Sequence, residues 1–262
     1  MRVPYFQVDA FTSRIFGGNP AGICLLDSWL PAEVLQKIAA ENNLSETAFL
    51  VRRGDDFDLR WFTPEIEINL CGHATLASAF VIFGELGFGG DSVRFETKSG
   101  LLTATRAAEE IITLDFPAWS TEPCKAPAAL VNGLGWMPSE VRRNEEDLLA
   151  VVGSEADVLA LKPDTHQLAL VETRGIIVTA PGSDCDFVSR FFAPRLGLIE
   201  DPVTGSAHSS LIPYWSARLG KKTLFARQLS RRRGELHCEA RGERVGIGGH
   251  AVLYSRGQIE LP

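Results

Sequence analysis

The chain has 262 residues, 45% of them hydrophobic and 23% charged, which is an ordinary composition for a globular protein of one large domain or two smaller ones. Its net charge of −7 argues against binding nucleic acid through a general basic field. No apolar run reaches the ~18–20 residues needed to cross a bilayer.

The N-terminal residues, MRVPYFQVDAF, lack the apolar stretch of a secretory signal. The five cysteines, Cys24, Cys71, Cys124, Cys185 and Cys238, are odd in number and scattered, so reduced thiols in a cytoplasmic protein are expected. No CxxC pair or HExxH motif occurs, and no metal site is expected.

In chain order, residues 3–8 alternate as a strand does. Residues 16–22, FGGNPAG, have turn chemistry, and 23–26 return as a short strand. Residues 31–41 read as a helix with Leu35 and Ile38 on one face and Pro31 in its first turn. Strands follow at 46–52 and 56–62, then a meander at 92–97, 101–106 and 110–115. Between them, 73–86 is apolar nearly all the way round, so a helix there must be buried on all sides. The glycines at 84–90 follow that helix and read as its C-terminal cap, because GxGxxG is absent. Residues 116–147, with Pro117, Pro123, Pro127 and Pro138, read as a crossover. Strands are expected at 148–152, 167–171, 175–180 and 185–192, a helix at 206–219, and further strands at 223–229, 235–240, 243–247, 250–255 and 258–261. Arg231, Arg232 and Arg233 read as a solvated hairpin tip.

Residues 71–87, CGHATLASAFVIFGELG, are echoed by 204–220, TGSAHSSLIPYWSARLG. Gly72 matches Gly205, Ala74 matches Ala207, Leu86 matches Leu219 and Gly87 matches Gly220, all at one constant spacing. Upstream, Arg60-Trp61-Phe62-Thr63-Pro64 is echoed by Arg190-Phe191-Phe192-Ala193-Pro194. The expected fold is therefore α+β with two pseudo-symmetric lobes, each a mostly antiparallel sheet wrapped around a central buried helix. The expected lobes are 1–116, which 256–262 could complete, and 117–255, with the active site in the cleft between them.

Where the copies disagree, they carry chemistry: Cys71 and His73 in one, Asp201, Thr204 and Ser206 in the other. Helix N-termini at Gly72 and Gly205 offer unpaired N–H groups that suit a small carboxylate. His73, at a helix start, is a candidate acid/base or orienting group, and the positive helix end should favour its neutral form. Asp201 could bind a substrate amine or only begin a turn before Pro202, and Ser206 could donate to a ligand or only cap its helix. Glu46, where an apolar strand begins, is the candidate general acid/base.

Together these residues resemble the PhzF-like family of phenazine-biosynthesis-type isomerases. The markers are Val8-Asp9-Ala10-Phe11, Gly18-Asn19-Pro20-Ala21, Asn43-Leu44-Ser45-Glu46-Thr47, Arg60 to Pro64, Cys71-Gly72-His73-Ala74-Thr75-Leu76, and Glu200-Asp201-Pro202-Val203-Thr204-Gly205-Ser206-Ala207-His208. The resemblance covers essentially the whole chain. It implies a diaminopimelate-epimerase-like fold, isomerisation of a small carboxylate without cofactor, and a homodimer. It also implies Glu46 as the proton shuttle, with His73, Asp201, Ser206 and the Gly72 amide as ligands. Cys71 and Thr204 occupy the places where related epimerases carry paired cysteines. A threonine hydroxyl is a far poorer carbon base than a thiolate, so the glutamate isomerase is preferred over an epimerase, racemase or dehydratase. A non-catalytic binding or scaffold protein of the same fold is the other alternative. The family's frequent Gln-Gly after the second helix is Gln228-Leu229 here.

Overall fold

The apolar segment after Cys71 forms the helix Gly72–Gly84, in which every residue except Phe80 and Gly84 is buried. This computed structural model describes residues 1–262, apart from the side chain of Ala108. The chain divides into two units: Met1–Phe116 with Gly246–Pro262, and Pro117–Val245.

In the first unit the central helix needs apolar walls on all sides. They come from the strands Arg2–Ala10, Asn19–Leu26, Glu46–Arg53, Gly100–Arg106 and Ala251–Glu260. Arg2–Ala10 pairs antiparallel with both Asn19–Leu26 and Ala251–Glu260. Asn19–Leu26 lies parallel to Glu46–Arg53, which pairs antiparallel with Asp56–Phe62. Asp56–Phe62 runs parallel beside Ser92–Thr97, and the meander continues through Gly100–Arg106 to Ile112–Pro117. The helix Ala32–Asn42 adds Leu35 and Ile38 to a separate core with Cys24, Phe49 and Phe62.

The second unit repeats the scheme. Asp147–Val151 lies parallel to Gly175–Pro181, which pairs antiparallel with Phe187–Ala193. Phe187–Ala193 runs parallel beside Thr223–Gln228, which turns through the exposed Arg231 and Arg233 into Gly234–Ala240. The helix Gly205–Leu219 contacts both strands of that hairpin. Trp215 fixes it further: the indole stacks on Phe187 at 5.7 Å, and its N–H donates to Thr179 Oγ1 at 3.0 Å.

The upstream echo has a physical basis. Arg60 makes a two-pronged pair with Glu67 at 2.7 and 2.9 Å, and Arg190 makes one with Glu200 at 2.7 and 3.0 Å. Each guanidinium also lies over the aromatic ring two residues on, Phe62 or Phe192. In both units this clamp holds the polypeptide that leads toward the central helix.

Three expectations need correction. The strand expected at 167–171 does not form: Thr165–Leu168 is a helical turn and turn residues follow it. Asp164 caps it by accepting from the His166 and Gln167 amides, and this local bonding overrides the short apolar run Leu168 to Val171. Residues 117–147 are more than a crossover: they include the helix Ala128–Leu134 and the strand Glu140–Arg143. Leu130 and Leu134 bury themselves in one core with Leu168 and Ile176. Finally, the return to the first unit takes in 246–255 as well as 256–262. The reason is the single strand Ala251–Glu260, which pairs with Arg2–Ala10 along its whole length. Among the described residues, no helix is long and apolar enough to cross a membrane.

Candidate active site

The first group forms at the start of the Gly72–Gly84 helix. Cys71 is its extended N-cap residue, and Gly72 and His73 begin the first turn. Thr75 Oγ1 donates to the Cys71 carbonyl at 2.5 Å, satisfying its hydroxyl inside an apolar unit. His73 is 4% exposed. Its Nε2 lies 3.1 Å from Glu46 Oε2, and its Nδ1 lies 3.1 Å from Asn19 Nδ2 and 3.5 Å from Cys71 Sγ. The Glu46–His73 contact is close, but it is not aligned as a full hydrogen bond. Glu46 opens the strand Glu46–Arg53 opposite Ala21, so the parallel pair delivers the carboxylate to the helix start.

Asn19 reaches the ring because the preceding turn is sterically determined. Gly18 has φ +58°, and a Cβ there would lie 2.0 Å from the Ala10 carbonyl oxygen. Only glycine fits, and the chain then enters its strand with Asn19 opposite Ala10.

Burial alone would lower the pKa of His73. The charges of Cys71 and Glu46 outweigh it and raise the pKa well above the ordinary value. This reverses the expectation from the helix N-terminus, whose partial charge is weaker than a carboxylate in contact. The Cys71 share requires a thiolate, whereas burial and the Glu46 charge push that thiol's pKa up. Glu46 is therefore the partner that matters near neutral pH. The Asn19 amide works against it, because an N–H facing Nδ1 disfavours a second ring proton.

Glu46, Cys71 and His73 each place a donor atom within 4.8 Å of the others, a set of types that transition metals accept. The carboxylate and the thiol address opposite nitrogens of one imidazole, however. An ion held through one nitrogen would have the ring between it and the other donor. The arrangement suits a chain of polar contacts through the ring better than a chelate.

The second group forms at the start of the Gly205–Leu219 helix. Thr204 is its N-cap residue, so Ser206 lies inside the first turn and does not take the capping role. Thr204 Oγ1 donates to Asp201 Oδ2 at 2.6 Å. Gln228, fully buried, organises the loop: its Oε1 accepts from the Thr204 amide at 2.9 Å, and its Nε2 donates to the Asp201 carbonyl at 2.8 Å. Ser206 Oγ lies 3.2 Å from Arg174 Nη1, and Arg174 pairs twice with the buried Asp147, at 3.0 and 2.5 Å. His208 Nδ1 lies 2.8 Å from the Thr204 carbonyl, and burial lowers its pKa to about 4.

Within the first unit, the structure thus brings Glu46, Cys71, Gly72 and His73 together. Within the second, it brings together Asp201, Thr204, Gly205 and Ser206. Sequence reasoning missed Asn19, Asp147 and Arg174 as members of these groups, and met Gln228 only beside a departure from the family's Gln-Gly. Asn19 had a signal in the Gly18-Asn19-Pro20 string, which is legible as a turn and as a family marker but not as part of a site. Asp147 and Arg174 had none, because both stand at element edges in unremarkable surroundings.

The family model for phenazine biosynthesis-like proteins, PhzC/PhzF, matches residues 8–257. The chain belongs to this family. An uncharacterized isomerase of Pseudomonas aeruginosa is 51% identical over 261 residues, covering 100% of both chains. The crystal structure of a PhzF-family protein from Enterococcus faecalis superposes with a TM-score of 0.96 at 46% identity, covering 100% of both chains. A hydroxyproline epimerase of Agrobacterium vitis, solved with bound trans-4-hydroxy-L-proline, shares the fold alone. It has 10% identity and a TM-score of 0.64, over 98% of this chain and 92% of that one. This PhzF-family chain is an isomerase with the α+β architecture that the internal repeat implies.

Proposed function

We propose that the protein is a cofactor-independent isomerase in which Glu46 moves a proton between two carbons of a small carboxylate substrate. The observation that carries this reading is the contact of Glu46 Oε2 with His73 Nε2 at 3.1 Å, beside the open N-terminus of a buried helix. Glu46 takes a proton from one carbon and returns it to another, so the substrate is isomerised with no net gain or loss of atoms. His73 orients the carboxylate and steadies its charge. The first turn at Gly72, which has no side-chain cap, suits the substrate carboxylate. Asp201, Thr204, Gly205 and Ser206 form the second set of candidate substrate ligands. The family resemblance implies a homodimer, which sedimentation analysis would check.

The epimerase alternative asks Cys71 and Thr204 to act as opposed bases. The Thr204 hydroxyl already donates to Asp201 and lies 3.1 Å from Gln228 Nε2, and the Cys71 thiol has a raised pKa. Neither group is poised as a carbon base, which favours the glutamate.

The test is proton exchange in deuterated water, using a panel of amino acids, cyclic dienoic acids and other small carboxylates together with a cell extract. Mass spectrometry reads the gained deuterium. Label that survives in Cys71→Ser and vanishes in Glu46→Gln supports the proposal. Label that vanishes only in Cys71→Ser sinks it in favour of the epimerase.

A further inference from the structure

The amide of Asn19 has two N–H bonds on nitrogen and no lone pair there, so it can only donate. It faces His73 Nδ1 at 3.1 Å. The thiol of Cys71, at 3.5 Å from the same nitrogen, can donate or accept and so leaves the choice to Asn19. A ring nitrogen addressed by a donor must present its lone pair, which leaves the ring proton on Nε2. Nε2 is the nitrogen in contact with Glu46.

We propose that Asn19 is a positioning residue that fixes the neutral His73 ring as the Nε2–H tautomer, and that the proton so placed on Nε2 serves the proton shuttle at Glu46. The second half rests on the isomerase reading above; the first does not. In this tautomer the ring proton lies on the nitrogen that contacts the carboxylate at 3.1 Å, and in the other tautomer that nitrogen would present a lone pair to it. A doubly protonated ring would set an N–H against the N–H of Asn19.

The position of Asn19 is rigid enough for this role. It is fully buried, it enters a strand opposite Ala10, and Pro20 behind it restricts its backbone to extended conformations. The glycine turn ahead of it admits no side chain at Gly18.

The test is a long-range ¹H–¹⁵N correlation spectrum of the imidazoles in the full-length ¹⁵N-labelled protein, recorded as a pH series and read above the pH at which the His73 ring gives up its second proton. His73→Gln assigns the His73 signals among those of the five histidines. The expected pattern is Nδ1 in the unprotonated acceptor range and Nε2 in the protonated range. Asn19→Asp replaces the donor with an acceptor and should put a proton on Nδ1. Asn19→Leu removes the donor and should leave a mixture of the two tautomers. A protonated Nδ1 in the unaltered protein overturns the proposal, and so does an unchanged pattern in either folded variant. The spectrum of the unaltered protein decides the matter even if neither variant folds. It needs no substrate, so if the Glu46 reading fails in the exchange assay, the tautomer assignment stands or falls separately.

Discussion

Four residues past its cap, each central helix turns a side chain back onto the cap carbonyl: Thr75 onto Cys71 and His208 onto Thr204. The two units share this frame and differ in what they hang on it. In the first, the strand opening on Glu46 has Ala21 as its parallel neighbour, and the carboxylate faces a histidine. In the second, the equivalent strand opens on Gly175, and the carboxylate comes from its parallel neighbour Asp147. A Cβ at Gly175 would lie 2.1 Å from Phe191 Cζ, so no side chain fits there. Asp147 is held by Arg174 in a two-pronged pair. Burial pushes the Asp147 pKa up and the Arg174 charge opposes it, and a partner that does not give up its proton makes this pair a structural one. A carboxylate against an imidazole can exchange protons. The same corner of one fold thus carries a proton shuttle in one unit and a structural strut in the other.

The largest expected effect tests the shuttle. Glu46→Gln should reduce deuterium incorporation by roughly 10²–10⁴-fold, the usual contribution of a positioned acid/base. Its melting temperature should change little, since the amide nearly matches the carboxylate in shape. A large loss of stability with activity retained would make Glu46 the strut and erase the contrast. The strut should answer in the opposite currency. Arg174→Met leaves Asp147 buried without its partner, and losing one member of a buried pair costs about 3–5 kcal/mol. Urea unfolding measures this, and a variant of unchanged stability would show that Asp147 needs no counter-charge.

Much of this contrast could be read in the chain beforehand, and the unread part has a physical cause. The constant spacing of Gly72 and Gly205 revealed the two helices, because a segment such as 73–86 with no polar face has few ways to be buried. The Arg60 and Arg190 echoes pointed to a shared feature, but their partners Glu67 and Glu200 became visible only in three dimensions. Asn19 stands in a turn string that also marks the family, and neither the turn chemistry nor the marker says where its side chain ends up. The Asp147–Arg174 pair joins two strand edges distant in sequence, which no local pattern marks. The apolar run at 168–171 suits a strand as well as a helix, and the cap at Asp164 decides for the helical turn.

The paired side chains Thr75 and His208 predict a difference in pH response. Thr75 does not titrate. His208 is fully buried with its pKa lowered to about 4, against an ordinary value of 6.5. As pH falls, the unfolded chain takes up this proton first. Stability from the neutral ring is therefore full above about pH 6.5 and is lost as pH falls toward 4. The total loss is roughly 3 kcal/mol from this group. His208→Gln keeps a donor for the Thr204 carbonyl without the titration. Urea midpoints at pH 7 and pH 4.5 should therefore converge in the variant more than in the unaltered protein. An equal fall in both would show that His208 does not set the acid limit.

The smallest expected effect concerns the two cap residues. Cys71 and Thr204 occupy matching places, and opposed two-base chemistry would make them the most sensitive pair in the protein. The environment of each argues otherwise. Burial and the Glu46 charge push the Cys71 thiol toward its neutral form, so Cys71→Ser exchanges one small uncharged donor near His73 Nδ1 for another. Exchange activity should then change by no more than severalfold, and by about the same factor at pH 6.5 and pH 8.5. A thiolate mechanism predicts instead a loss of several orders of magnitude, together with an activity in the unaltered protein that climbs with pH as the thiol ionises. That result would move the proton shuttle from the strand edge to the helix cap, and Glu46 would become the group that holds the thiol in check.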